Sequence, residues 1–136
     1  MARKSFVFVV MDPPYESARS VSAYRLMDAA VRKGHDVFVF AYEGGVSQPF
    51  AKQAQHPNSV HGRDTTQEDH PLPKDWIAAL QAEAKKRGTR FQWMNCGLCV
   101  DERGVAETIP DVVRGSPAEL WKAAEAADNI LVMGAS

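Results

Sequence analysis

Ser5-Phe6-Val7-Phe8-Val9-Val10-Met11 and Val37-Phe38-Val39-Phe40-Ala41 are the stretches from which the fold can be read. Both are runs of β-branched and aromatic residues without polar alternation. That pattern belongs to strands covered on both faces, as in a parallel sheet. Between them, Val21, Tyr24, Met27 and Val31 recur at helical spacing from about Ser17 to Lys33, and Ala23, Leu26 and Ala30 widen the stripe. Arg32 and Lys33 fill the last turn and Gly34 stands at the stop position. Strand, helix, strand in so short a span is a βαβ unit, for which a right-handed crossover is expected.

Downstream the alternation continues. Asp12-Pro13-Pro14-Tyr15-Glu16-Ser17 ends the first strand, since two prolines cannot continue a ladder, and Tyr42-Glu43-Gly44-Gly45-Val46 ends the second in a glycine turn. Residues 47–73 have no periodicity and are predicted to form a long surface loop. Lys74 to Arg87 reads as a helix with Trp76, Ile77, Leu80 and Ala84 inward and Gly88 as its stop. Phe91 to Met94 is a third strand, and Val112-Val113 marks a short strand or turn. Ser116-Pro117-Ala118-Glu119 starts a helix expected to turn Leu120, Trp121, Ala124 and Ala127 inward, and Asn129 to Met133 closes the sheet. The expected fold is a three-layer α/β/α sandwich around a mostly parallel, open sheet of about five strands, with flavodoxin-like layering, in one domain spanning 1–136.

Composition narrows the function. The 136 residues are 45% apolar and 24% charged, with a net charge of -1, so neither direct nucleic-acid binding nor an anionic membrane surface is expected. The apolar run Phe6 to Met11 is far shorter than the ~20 residues of a membrane span. No signal-peptide cleavage pattern comes after it, which predicts a cytoplasmic protein. In such a compartment two cysteines are reactive or metal-binding more often than a structural staple.

Both cysteines fall in Trp93-Met94-Asn95-Cys96-Gly97-Leu98-Cys99, which places Cys96 at a strand end and opens a helical turn. Backbone N–H groups and the helix dipole there favour a thiolate; Asp101 and Glu102 oppose it, while Arg103 and Arg114 compensate. Several chemistries share this C-x-x-C. A thioredoxin-like dithiol has its motif near the start of its domain, whereas here most of the chain comes first. A metal- or ligand-binding oligomeric module would add His56, His61 or His70 from the loop. Two buried, inert thiols are the plain structural alternative. Gly44-Gly45 lacks the G-x-G-x-x-G spacing of a nucleotide site. Asp12 before two prolines suits a turn initiator, with orienting a group or acting as a base as its functional alternatives.

Three patches point further. Asp12-Pro13-Pro14-Tyr15-Glu16-Ser17 resembles the Gly-Pro-x-Tyr-Gly-Thr turn of the DsrE/DsrF-like sulfur-relay family, matching at Pro13 and Tyr15. Phe40 to Val46 resembles that family's tyrosine- and glycine-containing second strand end. Asn95-Cys96 through Arg103-Gly104-Val105 resembles its cysteine followed eight residues later by the glycine of an Arg-Gly-Val. The resemblance implies a sulfurtransferase-like carrier with a persulfide on Cys96, no cofactor, donor and acceptor protein partners, and a homo- or hetero-oligomer, trimer or hexamer. The candidate site is Cys96 and Cys99, with Asp12, Tyr15, Tyr42, Asn95 and Arg103 expected around them. Asp12 and Glu16 replace family glycines, and Cys99 is an addition: it resolves a persulfide, forms a disulfide or completes a metal site.

Overall fold

In the computed structural model, residues 2–67 and 71–134 are described. Five strands and four α-helices alternate: β1 Ser5–Val10, α1 Arg19–Arg32, β2 Asp36–Ala41, α2 Pro73–Arg87, β3 Phe91–Cys96, α3 Gly97–Arg103, β4 Val112–Gly115, α4 Pro117–Ala126 and β5 Asn129–Met133. The strands form one open sheet in the order β4-β3-β2-β1-β5. Every pairing is parallel. The mostly parallel expectation is therefore met in full, and the uncertain Val112-Val113 is a strand.

The order of strands explains the layers. From β1 to β4 the chain steps in one direction, so right-handed crossovers put α1 and α2 on one face. The return from β4 to β5 runs the opposite way and puts α4 on the other. Side-chain parity agrees. Phe6 and Phe8 meet Leu26 and Ala30 of α1 around one hollow. Val7 and Phe38, of opposite parity, meet Ala123 and Ala127 of α4 around another.

The α1–α2 side holds the densest packing. Tyr24 stacks on Trp76 at 5.0 Å and on Trp93 at 6.4 Å, and Trp93 is fully buried. Burying a phenol requires a partner for its hydroxyl, and Tyr24 donates to Gln48 Oε1. The Gln48 amide in turn donates to the Asp12 carbonyl at 2.9 Å and to Ser20 Oγ at 3.1 Å. Among the described residues no buried side-chain polar atom lacks a hydrogen bond.

Helix ends match their sequence signals with small shifts. α4 starts with a capping box of Ser116 and Glu119 and has Pro117 in its first turn. The hydrogen bonds from Ser116 hold the Glu119 carboxyl below its ordinary range. α2 begins one residue earlier than expected, at Pro73, and ends at Gly88 in the left-handed region. α1 begins at Arg19 instead of Ser17, because the Ser17 hydroxyl is outside the helix, accepting from the Arg19 N–H and donating to Asp12.

Two expected faces are corrected. Trp121, expected inward, is 68% exposed. On α4 the half-buried positions are Leu120, Ala123, Ala124 and Ala127, one stripe at helical spacing, and Trp121 sits one residue off it. With no second helix beside α4, nothing in the described chain covers that flank. On α1, Val21 and Leu26 are likewise exposed, while Ala23, Tyr24, Met27 and Val31 are buried.

The stretch after β2 begins as a 3-10 turn, Glu43–Ser47. Gln53 Nε2 ties the next residues back to that turn, donating to the carbonyls of Ser47 and Gln48 at 3.0 and 2.7 Å. A further 3-10 turn, Ser59–His61, lies in an otherwise exposed segment. Among the described residues no helix is long and apolar enough to cross a membrane.

A candidate thiol site at the carboxyl ends of the strands

In an open parallel sheet, sites lie beyond the carboxyl ends of strands, because there the loops converge and the backbone can present free groups. Cys96 is the last residue of β3, opposite Gly115 of β4, and its extended backbone makes it the cap of α3. Cys99 comes next, in the first turn of that helix. Both thiols are free and buried, at 5% and 8% exposure.

The partner of Cys99 comes from the end of β2. Its sulfur accepts the backbone N–H of Glu43 at 3.2 Å. Glu43 adopts φ +51°, a left-handed conformation that costs a residue with a Cβ about 1 kcal/mol or more. The glycines after it explain how the turn is held. A Cβ on Gly45 would stand 2.3 Å from the Val10 carbonyl oxygen, so only glycine lets the 3-10 turn lie against the end of β1. The Glu-Gly-Gly segment thereby lays one N–H over the second cysteine.

Burial pushes the Cys99 thiol up, and a hydrogen bond to Cys96, in which the Cys99 S–H donates, pushes it further; the Glu43 N–H and the Arg103 charge oppose this. The pair is thus asymmetric. Cys99 favours its protonated form, while Cys96 closes β3 beside it.

The turn carrying Cys99 is clamped from β4. Arg114 Nη2 donates to the Gly97 carbonyl and to Asp101, both at 2.9 Å. The charge of Asp101 is therefore paired with Arg114. Arg103 reaches the Cys99 carbonyl at 3.4 Å and lies 3.9 Å from Glu102.

Beside Glu43 and Arg103, the two residues that reach Cys99, lies a cleft of roughly 690 Å³ lined also by Asp12, Glu16, Arg19 and Ser47, among others, with neither cysteine in its wall. Of the residues nominated from sequence, Asp12 and Arg103 meet here. The Asp12 carboxylate accepts from Ser17 Oγ at 2.8 Å and from Arg19 Nε at 3.1 Å, the pattern of a turn organiser. Tyr42 is exposed, its ring tilted against Phe40 at 6.5 Å, next to Glu43 in the chain. Asn95 faces away from Cys96, as alternate strand residues must; it is buried, accepts from the Trp93 indole at 2.9 Å and donates to the Val46 carbonyl at 3.1 Å. Tyr15 is not brought to the thiols. Its hydroxyl donates to the Pro71 carbonyl at 3.4 Å, beside Trp76, and burial followed by the Asp75 charge pushes that phenol up.

Glu43, Arg19 and Ser47 were missed from sequence. The double glycine read as a turn, and nothing local told which residue that turn would press against. His56 and His61 are exposed, His70 lies outside the described residues, and among the described residues no three His, Cys, Asp or Glu side chains converge as a metal site would require. A second hollow of about 310 Å³, lined by Ser5, Asp36 and Arg90, sits at the opposite, amino ends of the strands and contains no thiol.

The sequence matches the family model described as DsrE/DsrF-like over residues 4–133. The chain belongs to the DsrE/DsrF-like family. At the family level this membership implies sulfur relay, in which the family generally works with partner proteins. Its fold is similar to that in the crystal structure of the ychN protein from E. coli, with a TM-score of 0.71 over 95% of this chain and 98% of that one, at 20% identity. No curated protein matches the sequence. DsrE/DsrF-like membership accounts for the parallel five-stranded sheet; the Cys96–Cys99 pair and its Glu43 contact are features of this chain's own residues.

Proposed function

We propose that the chain is a sulfur carrier that accepts sulfane sulfur as a persulfide on Cys96 and passes it to a partner protein. The observation that carries this reading is the placement of the thiols: Cys96 ends β3 and caps α3, while the sulfur of the neighbouring Cys99 is held by the Glu43 N–H. A carrier cysteine needs to attack a sulfur donor and then to be a good leaving thiol, and the burial and hydrogen bond that raise the Cys99 thiol make Cys99 the less suited to both. Arg103 and Asp12 form cleft walls past which a donor would approach, Tyr42 caps the turn that carries Glu43, Asn95 fixes the end of β3, and Tyr15 shapes the neighbouring loop.

Donor and acceptor proteins are the partners of this reading. Leu98, between the cysteines and 74% exposed, offers an apolar contact beside the thiols. Exposed Trp121, Ile130 and Val132 on α4 and β5 support assembly into a homo- or hetero-oligomer, a trimer or hexamer. Two free thiols suit a reducing, cytoplasmic setting. The family match, running 4–133, supports reading 1–136 as a single domain.

Incubation with glutathione persulfide and then intact mass measurement tests the carrier role. The expected result, read at the earliest times after mixing, is the gain of one sulfur by the wild type and no gain by Cys96→Ser. Equal loading of Cys96→Ser would overturn it.

A further inference from the structure

Cys99 is not needed by a simple carrier, which uses one thiol. It is nonetheless buried beside Cys96, hydrogen-bonded to it, and supplied with a backbone N–H by a residue in a strained conformation. Cα atoms three positions apart at the start of a helix are about 5 Å apart, within the Cα span that a disulfide bridges. Gly97 and the Arg114 clamp hold that turn in place.

We propose that the pair is a self-resolving dithiol: once Cys96 carries a persulfide, Cys99 displaces the outer sulfur as hydrosulfide and the chain closes a Cys96–Cys99 disulfide. This inference rests on the carrier reading and adds a second activity, reduction of sulfane sulfur to sulfide, to the same site. The step balances within the chain. The Cys99 proton passes to the outer sulfur, and the Cys99 sulfur attacks the Cys96 Sγ. The Cys96 sulfur–sulfur bond breaks, its electron pair leaves with the outer sulfur as HS⁻, and a new sulfur–sulfur bond joins the cysteines. The outer sulfur is reduced and the two cysteine sulfurs become the disulfide, so no outside oxidant is required. Return to the dithiol requires an external dithiol reductant.

The arrangement assigns each neighbour a part. The Glu43 N–H stabilises negative charge on Cys99 as its proton leaves, and Arg103 adds a positive charge on the same side. Burial keeps bulk thiols from competing for the persulfide. Transfer to a partner protein and self-resolution are then alternative fates of one intermediate, and a partner that docks quickly takes the sulfur before Cys99 does.

The test loads wild type, Cys99→Ser and Cys99→Ala with glutathione persulfide, removes excess donor by rapid desalting, and tracks sulfide release and intact mass. The expected wild-type result is one equivalent of sulfide per chain and a final mass two hydrogens below the reduced protein. In both variants the persulfide should outlast that of the wild type by at least about tenfold. If loaded wild type keeps its sulfur as long as the variants do, self-resolution is overturned and the carrier reading stands. If no protein gains sulfur, both readings fall. Should the variants fail to fold by circular dichroism, peptide mapping of the loaded wild type decides: a Cys96–Cys99 disulfide formed together with sulfide supports the step, and a persisting Cys96 persulfide overturns it.

Discussion

Two strand ends of one sheet are built to opposite specifications. At the end of β1, the Asp12 carboxylate takes hydrogen bonds from Ser17 and Arg19, and its carbonyl takes one from Gln48. Those contacts tie the loop to α1 and to the 3-10 turn. At the end of β3, two thiols are buried with each other and one backbone N–H as polar partners. A carboxylate committed to strong donors organises structure; a thiol held by weak ones keeps its reactivity. The aspartate at the β1 end therefore organises its loop, as a turn initiator does, and the candidate thiol site sits two strands away.

The contrast can be broken most severely at the piece the two ends share. Gly45→Ala forces a Cβ against the Val10 carbonyl, a backbone atom that cannot step aside. A loss of about 3 kcal/mol is expected, read as a lower urea midpoint at unchanged slope. Because the same turn carries Glu43, alkylation of Cys99 by iodoacetamide should also accelerate. An unchanged midpoint would show that the turn is not pinned there.

Asp12→Asn sharpens the contrast with a smaller effect. The variant keeps the shape and removes the charge that Arg19 pairs with, and a loss of about 1 kcal/mol is expected because Arg19 is partly exposed. Sulfur loading on Cys96 should change less than stability does. Loss of loading in a folded Asp12→Asn protein would move Asp12 from scaffold to site.

The smallest expected effect is a shift in pH dependence. Burial and the bond to Cys96 raise the Cys99 thiol, so the folded protein holds that proton more tightly than the unfolded chain. Its contribution to stability is complete below the ordinary thiol value of about 8.5 and is lost as pH rises through the folded value. Cys96→Ala removes the hydrogen bond and the charge of Cys96 while leaving burial. The alkylation profile of Cys99 should therefore move to lower pH than in wild type; a profile that stays put would mean the two thiols do not interact.

Much of this was legible in the chain. Apolar runs at β1 and β2, the capping box before α4 and the stops at Gly34 and Gly88 each express a local rule, and each element formed where its rule said. Residues that escaped the reading depend on distant neighbours. Trp121 was expected inward on periodicity alone, but periodicity does not say how many helices share a sheet face. Tyr15 sits in a turn matching the family pattern, yet its left-handed backbone aims the ring at Pro71 and Trp76. Asn95, adjacent to Cys96 in sequence, faces the other side of the sheet.

The sequence by itself determined the alternation of strands and helices, the parallel sheet and the placement of Cys96 at a strand end, because burial on both faces and helical periodicity are written in consecutive residues. Only the tertiary structure decided what surrounds the thiols. The N–H on Cys99 arrives from Glu43, 56 positions earlier, through a turn that closes only because Gly45 has no side chain. A thiol's acidity is set by burial and by the groups that reach it in space, and those are fixed by how β2 and β3 pair rather than by the residues on either side of the cysteine.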